Sequence, residues 1–288
     1  MKLALGTAQF GMSYGINNMD GQVSQNAIQQ ILKYASLVGI HTIDTAIAYG
    51  SSEQCLGLAG VDTFEVISKL PAIPETCTNV EDWISNEVSG SLNRLGVHSL
   101  YGLMLHRPDQ LYGPMGDRIL EALINLKKAG HFRKIGISVY GPDEFDGLFS
   151  MLDFDIVQCP FNLIDRRLVS SGALKKLKMR GVEIHTRSSF LQGLLLMERN
   201  DIPSQFETWK SSWDLWDEWV RDNDVTRLRA CLAYCLSFED VDRIVVGVDG
   251  KSQLEEIVAA SEEVITVLFP NLSSDDPKLI NPGNWKIL

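Results

Sequence analysis

Basic residues are scarce in this 288-residue chain: 26 Lys and Arg stand against 37 Asp and Glu, a formal net charge of −11. Such a field repels phosphate backbones and anionic lipid headgroups, so neither nucleic acid nor a membrane surface is expected as a partner. Long apolar runs are also missing. The opening MKLALGTAQFG holds one lysine and a short apolar run, too little for a secretory leader, and no other stretch approaches the roughly 20 residues of a membrane span. A cytoplasmic location is the expectation. There is no CxxC pair: Cys55, Cys77, Cys159, Cys231 and Cys235 are scattered, which argues against a disulfide framework and a zinc ribbon. Cys231 and Cys235, one helical turn apart, read as packing.

What the chain does have is alternation. Short apolar runs begin at Leu3, His41, Phe64, Ser99, Lys134, Phe154, Val182 and Arg243, and longer segments with apolar residues at helical spacing separate them. These helical segments are 24–39, 51–59, 80–96, 117–130, 141–152, 170–181, 225–238 and 252–264. Gly39, Gly96, Gly130 and Gly181 close four of them where a left-handed C-cap belongs. Eight strand–helix units without a Pro- or Ser-rich linker predict a parallel sheet covered by helices. A closed (β/α)8 TIM barrel, one domain over 1–288, fits that count. An open doubly wound sheet would carry a G-x-G-x-x-G turn after its first strand, and GTAQFGMSYG lacks that spacing.

One connection is unusually long. After the seventh strand a Trp-rich insertion at about 194–224 precedes the next helix, with Trp209, Trp213, Trp216 and Trp219 on one helical face. Two readings stay open: an extra helix docking its indoles on the barrel, or a cover folded over a ligand at the mouth.

The C-terminal strand ends carry the chemistry. The second strand ends in Asp44 with Tyr49 in the loop beyond, the third in Lys69 and the fourth in His106. Singly, each has an ordinary explanation as a capping acid, a solvated amine or a satisfied core imidazole. Together they form a proton-transfer device: a phenol acts as an acid near neutrality only beside a cation that stabilises its phenolate. Lys69 is that cation, Asp44 its counter-charge, and His106 a donor that orients a carbonyl oxygen. No side chain donates hydride, so a nicotinamide cofactor is implied. With five His, of which His106 and His185 are the candidates near the rim, a metal-dependent hydrolase is not supported, and no metal is expected.

The residues DTAIAYG from 44, ISK ending at 69 and LMLH ending at 106 resemble the aldo-keto reductase family, whose tetrad is Asp, Tyr, Lys and His in this order. The resemblance runs from GTAQFG, with Thr7 and Ala8, to GVDGKSQLEEI. It implies reduction of a small-molecule carbonyl by NAD(P)H, with Asp44, Tyr49, Lys69 and His106 catalytic. It also implies cofactor contacts at Thr7, Ala8, Asp44, Ser138, Gln158, Ser188, Phe190, Gln192, Gly247, Val248, Lys251, Gln253 and Glu256. Departures are Val139 where the family has Asn, Ile257 where it has Asn, and Arg187 where a Tyr commonly stacks on the nicotinamide. A planar guanidinium can take that place, and with Arg107 it would add positive charge for an anionic or sugar-type substrate. Pairing of Arg107 with Asp109 is the plainer alternative.

The resemblance favours NADP(H) over NAD(H), although Lys251 is the lone cation offered to a 2′-phosphate. It also leads one to expect a monomer or weak dimer, and a missing N-terminal hairpin below the barrel. The competing class is a nucleotide-binding regulatory or structural barrel with little turnover.

Overall fold

The computed structural model describes residues 1–16, 18, 21–262 and 265–285. Its frame is a closed barrel of parallel strands: β1 Leu3–Gly6, β2 Thr42–Asp44, β3 Glu65–Leu70, β4 Leu100–Leu105, β5 Phe132–Ser138, β6 Ile156–Pro160, β7 Glu183–Arg187 and β8 Arg243–Gly247. Each strand pairs with its sequence neighbour. Closure comes from β1 against β8, from Leu3 opposite Ile244 to Gly6 opposite Gly247. The strands are buried because helices cover their outer faces and side chains fill the inside.

Helices begin and end where local chemistry permits. Ser24, Asn79 and Thr226 accept N-cap hydrogen bonds from the backbones of Ala27, Asp82 and Arg229, opening helices Gln25–Leu37, Val80–Leu95 and Arg227–Leu236. The four expected C-terminal glycines all take positive φ. Two expected helices are shorter than their periodicity suggests. The 141–152 segment divides into a 3-10 turn at Pro142–Glu144 and the helix Phe145–Phe149, and 170–181 holds the end of the helix Arg167–Ser170 and, past the left-handed Gly172, the helix Ala173–Met179. The expected 252–264 helix is Lys251–Ser261, while 263 and 264 lie outside the described residues.

Inside the barrel, Ile67, Met104 and Ile156 form a small apolar layer of their own, with Tyr101 against it. Two polar clusters lie on opposite sides of that layer. At the N-terminal side, Glu183 accepts from Tyr101 Oη (2.8 Å), from Lys134 Nζ and from His185 Nε2 (2.7 Å). His185 is therefore a fully buried partner of Glu183 and not a rim residue; Arg243, the first residue of β8, is paired with it in register.

The long connection after β7 runs through a 3-10 segment, Leu191–Leu196, to the helix Lys210–Asp222. Trp213 and Trp216 are buried, their indole N–H groups donating to the carbonyls of Phe206 (2.9 Å) and Leu195 (3.2 Å). Trp219 stacks between Trp216 and Phe269. These rings make an inward-facing aromatic seam, which satisfies each indole donor while burying its apolar body.

Candidate active site

Parallel closure brings the ends of β2, β3, β4 and β6 together. Lys69 is 1% exposed, and its ammonium donates to Asp44 Oδ1 at 2.6 Å and to the Thr45 carbonyl at 2.9 Å. The second Asp44 oxygen accepts from Gln158 Nε2 at 2.7 Å, a contact between residues 114 positions apart. Burial alone would push the Lys69 ammonium down, but the charge and hydrogen bond of Asp44 outweigh it and hold Lys69 above its ordinary range. A permanent cation is the consequence.

That cation lies 5.2 Å from the centroid of the Tyr49 ring, and the His106 ring meets Tyr49 edge to face at 5.9 Å. Burial, followed by the charge of Lys69, lowers His106 to about 4, so its imidazole is neutral at neutral pH. A neutral imidazole still donates one N–H.

Tyr49 is held by backbone packing. A side chain on Gly11 would place Cβ 1.8 Å from the Tyr49 carbonyl oxygen, and one on Gly50, whose φ is +55°, would meet the Gly11 carbonyl at 2.3 Å. Glycine at both positions lets the loop after β1 lie directly on the loop carrying Tyr49. Thr7 adds a hydroxyl relay: its Oγ1 donates to the Asp44 carbonyl, and Ser52 Oγ bonds the Thr7 carbonyl and lies 3.1 Å from Thr45 Oγ1. Below it, the buried Glu53 accepts from Ser68, Ser91 and Arg94, tying the helix Ser52–Ala59 to β3 and its neighbour.

A cavity of about 360 Å³ opens from this cluster, a volume in the range of small-molecule sites. Of the expected site residues, Thr7, Ala8, Asp44, Tyr49, Gln158, Arg187, Ser188, Phe190, Gln192, Gly247, Gln253 and Glu256 line it. Ser138 stands one step back, its Oγ 3.5 Å from Gln158 Oε1. Lys69 and His106 are not among the wall residues and lie against the Tyr49 ring. Val248 is buried in the core, and Lys251 is off the wall; these two expected contacts are not brought to the cavity. Of residues 194–224, Leu196 touches the cavity and the tryptophans do not.

Arg187 lies at the rim, its guanidinium 4.9 Å from the Tyr140 ring centroid and donating to the Val139 carbonyl at 3.0 Å. Val139 thus serves through its backbone. Arg107 forms a bidentate pair with Asp109, 58% and 55% exposed, and is not on the wall. Sequence reasoning missed Tyr14, whose hydroxyl accepts from Gln192 (3.3 Å), together with Asn18 and Asp249. The glycine beside Tyr14, in SYG at residues 13–15, was the available signal for that residue.

The cavity suits an extended ligand with phosphates. Four glycines, Gly6, Gly15, Gly193 and Gly247, stand on its wall. Ser188, Leu191 and Gln192 take left-handed φ of 63°, 49° and 54° in the segment between them. Such conformations cost about 1–3 kcal/mol each and concentrate where a loop must clasp a ligand. The helix Lys251–Ser261 starts at the far end, where amide groups and the helix dipole favour anions. These features fit a dinucleotide.

The site is thus a buried lysine–carboxylate pair behind a cavity-facing tyrosine at the rim of a closed parallel barrel. Residues 2–267 match the sequence profile of the Aldo/keto reductase family, and the chain belongs to that family. Enzymes of this family are NAD(P)-dependent oxidoreductases, generally using NADP(H), that act on small carbonyl compounds. The chain is 27% identical to the aldo-keto reductase YhdN of Bacillus subtilis (strain 168) over 59% of its own length and 53% of that protein's. It therefore matches about half the length of that relative. It is 25% identical to L-galactose dehydrogenase of Arabidopsis thaliana, covering 91% of this chain and 86% of that one. The glycerol dehydrogenase of Gluconobacter oxydans shares the fold at a TM-score of 0.72 and 22% identity, over 92% of this chain and 88% of that one. No described helix is long and apolar enough to cross a membrane.

Proposed function

We propose that the chain reduces a small aldehyde or ketone to its alcohol with NAD(P)H, with Tyr49 as the general acid. The observation that carries this reading is Tyr49 on the cavity wall with the Lys69 ammonium 5.2 Å from its ring centroid. The nicotinamide cofactor, when bound, supplies a hydride to the carbonyl carbon. The chain's own residues supply the proton and hold the oxygen. Tyr49 donates its phenolic proton to that oxygen, and Lys69, fixed by Asp44 and Thr45, stabilises the phenolate left behind. Because Lys69 and Asp44 are buried, water screens this field little. His106, neutral at working pH, gives an N–H to the same oxygen and does not compete as the acid.

Gln158 holds Asp44 from the opposite side of the barrel, and Ser138 supports Gln158. The segment 188–193 and the start of the helix Lys251–Ser261 would hold the cofactor phosphates. Arg187, anchored on Tyr140, supports an anionic or sugar-type carbonyl substrate. All five cysteines are free among the described residues, which supports a reducing cytoplasmic setting. The test is cofactor oxidation with a panel of aldehydes and ketones, comparing the wild type with Tyr49→Phe. Loss of the hydroxyl should slow turnover by roughly a hundredfold to ten-thousandfold. Equal rates for both proteins overturn Tyr49 as the acid.

A further inference from the structure

The far end of the cavity carries a charge pattern that proton transfer at Tyr49 does not explain. Beyond Gly247 the wall is made of Asp249, Gln253, Glu256 and Ile257, with Asn18 and Leu228 also lining the cavity. Two carboxylates therefore stand on this stretch. Among the described residues, Arg187, which donates to the Val139 carbonyl beside Tyr140, is the one Lys or Arg on the whole wall.

Lys251, the cation that the sequence offers to a 2′-phosphate, is engaged elsewhere. Its Nζ bonds Glu255 Oε1 at 2.7 Å and lies 5.4 Å from the Tyr34 ring centroid. The turn holding Asp249 is fixed on both sides: its N–H donates to Gln253 Oε1 (2.8 Å), and its Oδ1 accepts from Asn18 Nδ2 (3.3 Å). Gln253, where the family often has Arg, is thus used to hold the turn. Glu256 is exposed and makes no ion pair among the described residues.

We propose that Asp249 and Glu256 select against a 2′-phosphate, so that the protein binds NAD(H) in preference to NADP(H). This rests on the cofactor reading given above and departs from the family-based expectation of NADP(H). A ribose 2′-hydroxyl is a donor that a carboxylate accepts, the solution dinucleotide folds use for NAD. A phosphate monoester instead brings about −1.5 to −2 charges at pH 7 toward two carboxylates. The opposing attraction is the N-terminus of the helix Lys251–Ser261, equivalent to roughly half a positive charge. That half charge serves the pyrophosphate of either cofactor equally and is outnumbered by the two carboxylates, so repulsion of the 2′-phosphate wins.

Calorimetric titration of the purified protein with NADH, NADPH, ADP-ribose and 2′-phospho-ADP-ribose tests this without any substrate. The unphosphorylated member of each pair should bind at least about tenfold tighter, a gap of about 1.4 kcal/mol. The gap should shrink in high salt, as interactions between exposed charges do. Glu256→Gln and Asp249→Asn should each narrow it, and Glu256→Lys, an exposed change that leaves the core untouched, should close or invert it. NADPH binding as tightly as NADH in the wild type overturns the proposal and leaves the cofactor reading intact. A gap unmoved by all three substitutions overturns the assignment to these carboxylates. Failure of all four ligands to bind overturns the cofactor reading as well.

Discussion

The barrel holds two clusters of buried charge, one at each side of the layer Ile67, Met104 and Ile156, and they are built to different ends. On the N-terminal side every partner converges on Glu183. Burial pushes its carboxyl up, but hydrogen bonds from His185, Lys134 and Tyr101 outweigh that and hold it well below the usual carboxylate range. These hydrogen bonds stay within the network, although Tyr101 and Glu183 also border a separate cavity of about 310 Å³. On the C-terminal side Asp44 and Lys69 neutralise one another in the same way, yet Tyr49 is left between their field and an open cavity. The two lysine–carboxylate pairs also differ in burial: Lys69 and Asp44 are 1% and 5% exposed, Lys134 and Glu183 31% and 13%. The difference in role lies in the phenol beside each pair: Tyr101 donates its hydroxyl to Glu183 and accepts from Lys134, whereas Tyr49 lines the cavity shared with Gln158 and Arg187.

Breaking each cluster should separate these roles. Lys69→Met leaves Asp44 buried without its cation, which should cost about 3–5 kcal/mol of stability and abolish measurable reduction. Thermal unfolding and steady-state kinetics on the same preparation check both halves. Glu183→Gln should destabilise by a smaller amount, about 2–4 kcal/mol, because Lys134 and His185 lose a charged acceptor. Its kcat should stay within about twofold of wild type, since nothing in that network reaches the cavity that Tyr49 lines. A large fall in kcat would erase the proposed division between the two ends.

The pH dependence sharpens the same contrast. His106 titrates near 4 in the folded chain against an ordinary 6.5, so the unfolded chain binds its proton first. The native state then holds fewer protons between these values, and stability rises with pH through that window and is lost as pH falls through it. Denaturant midpoints measured from pH 4 to 7 should show that slope, and His106→Gln should flatten it. The smallest effect is expected from Arg107→Ala, which removes an exposed pair with Asp109: stability should change by less than about 1 kcal/mol. Its kcat/KM should not move, because Arg107 does not line the cavity.

Much of this was legible in one dimension. Strand–helix alternation sets a barrel, and within it the residues closing β2, β3 and β4 must share a rim, so Asp44, Lys69 and His106 were readable as a set with Tyr49. Four helix C-termini followed from Gly39, Gly96, Gly130 and Gly181, all of which take positive φ, whereas the N-caps Ser24, Asn79 and Thr226 emerged only in the fold. The tryptophans at steps of 4, 3 and 3 marked a helix, which is there, but periodicity cannot say what a face packs against. In the fold that face turns inward, onto Phe206, Leu195 and Phe269.

Periodicity and strand-end position depend on neighbours a few residues away, and those the amino-acid order determines by itself. Three features depend instead on how closure brings distant strands and loops together, and only the tertiary structure decided them. Gln158 reaches Asp44 across the barrel. Tyr140 and the Val139 carbonyl capture Arg187. Asp249 and Glu256 share a wall from which Lys251, drawn to Glu255 and Tyr34, is withheld. A side chain's type is written in the sequence, whereas the charge it finally faces is set by which loops meet when the barrel closes.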